Sequence, residues 1–255
     1  MTGGSEPAPK AGAIYGAQLA NVHHERFGSL AAAAAGELVS RLSRVGISSG
    51  RVVDLGAGSG ILGRGVTAAG FEAWGVDVSP HMLDIARRLA PGATFVEASL
   101  WDVEIPPCVA VAAVGEIFSY AADPRTGRAP LAARLSDVER QLRPGGLLLF
   151  DVAGPGRSGP TGERRGFWSF DDVAIGLVER EDSAHGRLVR EISLFVRETD
   201  RFRRTNETHA LVLYEPAAIE AQLSDAGFAW ERLERYGDIP LAAGQLAYAA
   251  TSRRR

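Results

Sequence analysis

Residues 51–60, Arg51-Val52-Val53-Asp54-Leu55-Gly56-Ala57-Gly58-Ser59-Gly60, restrict this chain more than any other stretch. Val52, Val53 and Leu55 are residue types of a strand buried on both faces, and a helix starting near Ser59 would lay its N-terminus over the strand's carboxyl end. Gly56, Gly58 and Gly60 let the backbone take positive φ and approach a bound molecule. The pattern Asp-x-Gly-x-Gly-x-Gly differs from the dinucleotide fingerprint Gly-x-Gly-x-x-Gly, whose third glycine, read from Gly56, would fall at Ile61. That spacing disfavours NAD and FAD, and makes a nicotinamide oxidoreductase the weakest reading.

Strand and helix patterns alternate from here onward. A helix from Ser59 to Ala69 is closed by Gly70, and a strand Glu72 to Val76 ends at Asp77. Ser79-Pro80 is an N-cap followed by proline at the first helical position, which starts a helix to Leu89. Strands follow at 93–97 and 109–114, then a helix at 131–142, the break Arg143-Pro144-Gly145-Gly146 and a fifth strand at 147–152. The rhythm predicts a Rossmann-like, doubly wound α/β sheet with ligands at the strands' carboxyl ends. It breaks after Asp151. A loop to Arg165 leads into three expected strands, Phe167–Val178, Leu188–Glu198 and Phe202–Tyr214, with turns at Ala184-His185-Gly186 and Thr199-Asp200. A helix at 215–226 and strands near 228–236 and 245–251 resume the core.

The expected organisation is a leader at 1–12, a helical cap at 13–46, a core at 47–153 and 215–252, and an antiparallel β cover inserted at 154–214 between strands five and six. Seven strands are expected in the core, mostly parallel with the last antiparallel. Net charge is −3, so the field of the whole molecule gives no push toward phosphate backbones, and nucleic acid is not an expected partner. No apolar run approaches the ~20 residues of a membrane span, and the leader lacks the basic and apolar segments of a signal peptide, so a cytoplasmic protein without membrane contact is expected. Cys108 is the only cysteine, set among apolar neighbours, and reads as a buried, inert thiol. Arg253-Arg254-Arg255 reads as a solvated chain end.

Asp77 lies about 20 residues beyond the glycine loop, where a carboxylate accepts hydrogen bonds from both hydroxyls of a ribose. The succession of Val53–Gly60, Gly75-Val76-Asp77-Val78-Ser79-Pro80-x-Met82-Leu83 and Leu142-Arg143-Pro144-Gly145-Gly146 resembles the motifs of class I S-adenosylmethionine-dependent methyltransferases over roughly residues 50–155. The resemblance implies S-adenosylmethionine as cofactor and S-adenosylhomocysteine as product. It places the loop of Gly56, Ala57, Gly58 and Gly60 on the methionine part, Asp77 at the ribose and Met82 beside the adenine, with Asp54 and Val78 among the cofactor contacts. Ser99 and Leu100 match the adenine-edge segment, where Ala98-Ser99 replaces the frequent Gly-Asp pair, so Ser99, Trp101 or backbone is left to hold the adenine amine. Gly115 and Glu116, at the end of the fourth strand, face the methyl donor.

The acceptor side is less explicit. Tyr15, His23, His24 and Phe27 give the first helix the composition of a flap over a pocket. Tyr120 follows the fourth strand, and alternation puts Arg203, Thr205, Glu207 and His209 on one face of the last inserted strand. Candidate substrate contacts are therefore Tyr15, His23, Phe27, Tyr120, Arg203, Glu207 and His209. Glu116, His209 and His23 are the candidates for moving a proton. No metal site is expected, since Glu207 and His209 lack further ligands. The expected function is methyl transfer to a nitrogen, oxygen or carbon of a small molecule. The alternatives are a non-methylating role of the same fold, as cyclase or scaffold, and a protein or RNA methyltransferase. Monomer and homodimer stay open.

Overall fold

The computed structural model describes residues 14–123 and 126–254; the expected leader at 1–12 and Arg255 lie outside the described residues. In chain order the elements are α1 (Ala17–Arg26), α2 (Ser29–Arg44), β1 (Arg51–Leu55), α3 (Ile61–Ala68), β2 (Glu72–Asp77), α4 (Pro80–Leu89), β3 (Thr94–Glu97), β4 (Cys108–Ala113), α5 (Arg128–Gln141) and β5 (Leu142–Ala153). Then come β6 (Glu163–Ser169), β7 (Val173–Asp182), β8 (Arg187–Glu198), β9 (Arg201–Val212), α6 (Pro216–Asp225), β10 (Phe228–Leu233), β11 (Arg235–Tyr236), β12 (Ile239–Pro240) and β13 (Gln245–Ser252).

The core sheet runs β10-β13-β5-β4-β1-β2-β3. β1 pairs in parallel with β2 and β4, and β4 with β5, whereas β13 is antiparallel to both β5 and β10. This is the expected doubly wound, seven-stranded arrangement with its last strand reversed. Alternation along β1 sends Val53 and Leu55 to one face, against Leu131, Leu135, Ile219 and Leu223 of α5 and α6. Val52 goes to the other face, with Leu38, Leu42, Leu62 and Val66 of α2 and α3. Both faces are therefore covered, as the near-continuous Val/Ala composition of β4 demands. At the start of α4, the Ser79 hydroxyl accepts the Met82 N–H at 3.3 Å, and Pro80 occupies the first turn.

The cover is a separate antiparallel sheet of four strands, β6-β7-β8-β9, rather than three. Phe167–Val178, expected as one strand, folds back at Asp171-Asp172, where the Phe170 N–H reaches the Val173 carbonyl at 2.8 Å. The apolar Phe170 had masked this turn. Likewise 228–236 is not one strand: after Leu233 the chain forms the short β11–β12 ribbon. The cover packs on α1 through Leu19 and Val22 against Val173, Ile175 and Leu194, and on the core through Tyr120, Ala153, Leu188, Leu211 and Leu213. Cys108 is buried, and burial pushes its thiol up to about 12. Arg254 is tied to Glu139 at 3.1 Å, so the chain end is not wholly solvated. No helix among the described residues is long and apolar enough to cross a membrane.

Candidate active site

A cavity of about 380 Å³ opens where β1, β2 and β4 end at their carboxyl termini. Its floor is the glycine loop. Gly56 adopts φ 73°, and a β-carbon there would run into the Ile117 side chain. The N–H groups of Gly56 and Ala57 both reach the Val76 carbonyl at 2.8 Å, which fastens the loop to β2. Asp77 then accepts the Gly58 N–H on Oδ2 and the Ser79 N–H on Oδ1, each at 2.8 Å. A carboxylate has about four acceptor positions, so two remain for a ligand. Burial raises the Asp77 pKa, and the N–H groups of Ser79 and Gly58 oppose that rise.

Asp54 lies beneath this loop, 4% exposed, and its Oδ2 has no hydrogen-bond partner. Burial, and then the nearby Asp77 carboxylate, push it up to about 7. A buried carboxyl with an unused oxygen and no cation is a group waiting for a donor. Among the residues expected on the cofactor side, Gly56, Gly58, Asp77, Val78, Met82, Ser99, Leu100 and Gly115 line the cavity. Ala57, Gly60 and Asp54 do not line it. The Ser99 hydroxyl donates to Asp123 at 3.1 Å and accepts the Trp101 N–H at 3.2 Å.

On the acceptor side Tyr15, His23 and Tyr120 line the cavity. Tyr15 crosses from cover to core: its N–H donates to Glu207 Oε2 at 2.9 Å, while its carbonyl accepts the Ser79 hydroxyl at 2.9 Å. Glu207 Oε1 takes the Gly16 N–H as well, at 2.9 Å. The Tyr15 and Tyr120 hydroxyls are 3.1 Å apart, and burial raises the pKa of both phenols, so both are neutral donors. His23 meets Tyr15 edge-on at 5.0 Å between ring centroids. Burial, then His209 and His24, lower its pKa to about 4, so its imidazole is neutral at neutral pH.

The other candidates stand elsewhere. His209 is 2% exposed and sits behind the tyrosines, with ring centroids 5.2 and 5.6 Å from Tyr15 and Tyr120. Its Nε2 meets Glu207 Oε2 at 3.0 Å, and its Nδ1 has no partner. Phe27 packs edge-on against Trp168 and holds α1 to the cover. Arg203 is exposed and paired with Glu198 at 2.5 Å, away from the cavity. Glu116 is buried and not free: its carboxylate meets Arg157 Nε and Arg190 Nη2, each at 2.6 Å. Those two cations overcome the effect of burial and hold it below its ordinary pKa. Proton abstraction by such a carboxylate is unfavourable, so the geometry gives Glu116 a structural part in place of the expected basic one.

Two residues emerged only from the structure. Asp151, fully buried on β5, accepts the N–H groups of Gly115 and Glu116, the Tyr236 hydroxyl at 3.0 Å and Gln245 Nε2 at 3.0 Å. It fixes the backbone at the end of β4, where Glu116 takes φ 60°. Three non-glycine residues among those described have positive φ, and two of them, Tyr15 and Glu116, flank this site. Arg190 is the second. Its position on the inward phase of β8 was a signal that alternation could have supplied. Among the described residues no group of three or more His, Cys, Asp or Glu is placed to hold a metal ion.

The seven-stranded sheet with its reversed last strand and the separate antiparallel cover make a Rossmann-like methyltransferase fold. Residues 52–146 match the family model described as a methyltransferase domain. The chain is 24% identical over 190 residues to YqeM of Bacillus subtilis (strain 168), covering 72% of this chain and 75% of that one. Among solved structures, it is similar to an S-adenosylmethionine-dependent methyltransferase from Clostridium acetobutylicum, with TM-score 0.77, 16% identity, and coverage of 92% of this chain and 98% of that one. It is also similar to the sugar N-methyltransferase KedS8 from a Streptoalloteichus species, with TM-score 0.74, 21% identity, and coverage of 100% and 99%.

Proposed function

We propose that this protein transfers a methyl group from S-adenosylmethionine to a small-molecule acceptor held in the covered cavity. The observation that carries this reading is the continuity of one cavity from the glycine loop and Asp77 to the Tyr15–His23–Tyr120 wall. The residues fit the cofactor: a glycine loop bared to the cavity at Gly56 and Gly58, two open acceptor positions on Asp77, an unpartnered Asp54 oxygen, and Met82 with Leu100 as apolar walls. When bound, the cofactor supplies an electrophilic methyl on a sulfonium. The protein's part is to hold donor and acceptor in line, which can supply much of the acceleration. The cover and the absence of a cationic field support a small acceptor over a protein or RNA, and the sugar N-methyltransferase among the structural relatives supports a natural-product acceptor.

Incubation with cofactor and a panel of amino-sugar and related metabolites, read by mass spectrometry for the gain of one methylene, tests the reading. Tyr15→Phe is expected to reduce transfer about 10- to 100-fold with little change in cofactor affinity, because it removes the hydroxyl that meets Tyr120 and faces the acceptor. Calorimetry on the same variant checks the second half.

Asp54 adds a pH dependence. With a pKa of about 7 in the free protein, it is half protonated near neutrality. The ammonium of the cofactor's methionine part favours the ionised form. Affinity for S-adenosylhomocysteine is therefore expected to rise as pH increases through 7, and to lose that dependence in Asp54→Asn. A pH-independent affinity in the wild type would remove Asp54 from the binding site.

A further inference from the structure

Arg190 does not line the cavity, yet its guanidinium joins three parts of the molecule. It lies on β8 in register with Glu179 of β7 and His209 of β9, so the three share the inward face of the cover. Its Nε donates to Glu179 at 2.6 Å, and its Nη2 donates to Glu116 at 2.6 Å. Glu116 and Tyr120 are the two ends of a single 3-10 turn, Ile117–Ser119, so the cation grips the turn at Glu116 while a β-bridge from Tyr120 to Leu211 of β9 holds the other end. From that turn Ile117 walls the cavity over Gly56, and the Tyr120 hydroxyl meets Tyr15. The backbone adds a second tie, because the Ala121 N–H reaches the Ala210 carbonyl of β9 at 2.8 Å.

We propose that Arg190 is a positioning residue for methyl transfer: it locks the Glu116–Tyr120 turn of the core to the cover and sets the direction of the Tyr15–Tyr120 hydroxyl pair facing the acceptor. The proposal rests on the methyltransferase reading above. A guanidinium is a planar fork with five donors, able to serve two carboxylates in fixed directions, which a lysine ammonium on a flexible stem cannot do. With the turn held at both ends, the Tyr120 hydroxyl meets that of Tyr15 in one geometry. Arg164 provides the contrast: on the edge strand β6, in register with Glu179, it meets that carboxylate at 2.5 Å and has no bond to Glu116.

The test uses the full chain with its tyrosines labelled by carbon-13 at the ring carbon that bears the hydroxyl. Tyr15→Phe and Tyr120→Phe assign the two resonances. Arg190→Met is at risk of unfolding, since it takes one cation from each of two buried carboxylates, so Arg190→Lys is compared with Arg164→Met. In Arg190→Lys both tyrosine resonances are expected to shift, with affinity for S-adenosylhomocysteine within roughly threefold of wild type. In Arg164→Met they are expected to stay. Once an acceptor is in hand, Arg190→Lys is expected to lower kcat and leave KM nearly unchanged. Unmoved resonances in folded Arg190→Lys, or equal movement in Arg164→Met, would overturn the proposal. Failure of the underlying reading shows differently, as wild-type protein that does not bind S-adenosylhomocysteine.

Discussion

Asp77→Ala is expected to weaken binding of S-adenosylhomocysteine by two orders of magnitude or more, measured by calorimetry. Two interactions are lost at once. The carboxylate's open acceptor positions are those proposed for the ribose hydroxyls, and a hydrogen bond to a charged group contributes about 1.5–3 kcal/mol. Two such bonds correspond to roughly a hundredfold or more in affinity, at about 1.4 kcal/mol for each factor of ten. In addition, the Gly58 and Ser79 N–H groups lose their common acceptor, so the glycine loop and the start of α4 lose their link. Folding should suffer far less than binding. Burial penalises the charge on Asp77, and that penalty disappears with the carboxylate. Asp77→Asn, with one acceptor oxygen in place of two, should fall between wild type and alanine. Unchanged binding in Asp77→Ala would sink the placement of the cofactor.

The legible part of this molecule was the part written in short-range pattern. Glycine spacing, the position of Asp77 and the Ser79-Pro80 cap lie within about thirty residues of one another, and each encodes a local backbone requirement. The core sheet followed from the alternation of strand and helix. The cover was seen but miscounted, because a turn made by Asp171 and Asp172 follows directly on Phe170 and leaves the apolar run unbroken. The acceptor side was harder. Tyr15, His23 and Tyr120 lie at the cavity, yet the same strand pattern that suggested His209 also suggested Arg203, which points to solvent. Alternation selects a face and not a depth. Least visible was the role of Glu116, whose partners Arg157 and Arg190 are 41 and 74 residues away. A carboxylate at the end of β4 reads as a base until those cations are known.

That difference can be measured. Glu116→Gln is expected to destabilise the fold by about 3–5 kcal/mol, because removing one member of a buried ion-paired group leaves its partners uncompensated. Arg190 keeps Glu179. Arg157 does not have a second carboxylate among its bonds, and it is the stranded charge. For a chain of this size the loss corresponds to a fall in Tm on the order of 10 °C. A general base would give the opposite pattern, with transfer abolished and Tm retained. The double variant Glu116→Gln, Arg157→Met should recover part of the stability, since it removes the stranded cation as well as its anion; no recovery would sink the account. The pH dependence has a definite sign. Glu116 is held below its ordinary pKa in the folded protein, so its stabilisation is complete above the ordinary glutamate range and is lost as pH falls through the folded value. Wild type and Glu116→Gln are therefore expected to differ most at neutral pH and to converge in acid, as followed by thermal denaturation across pH.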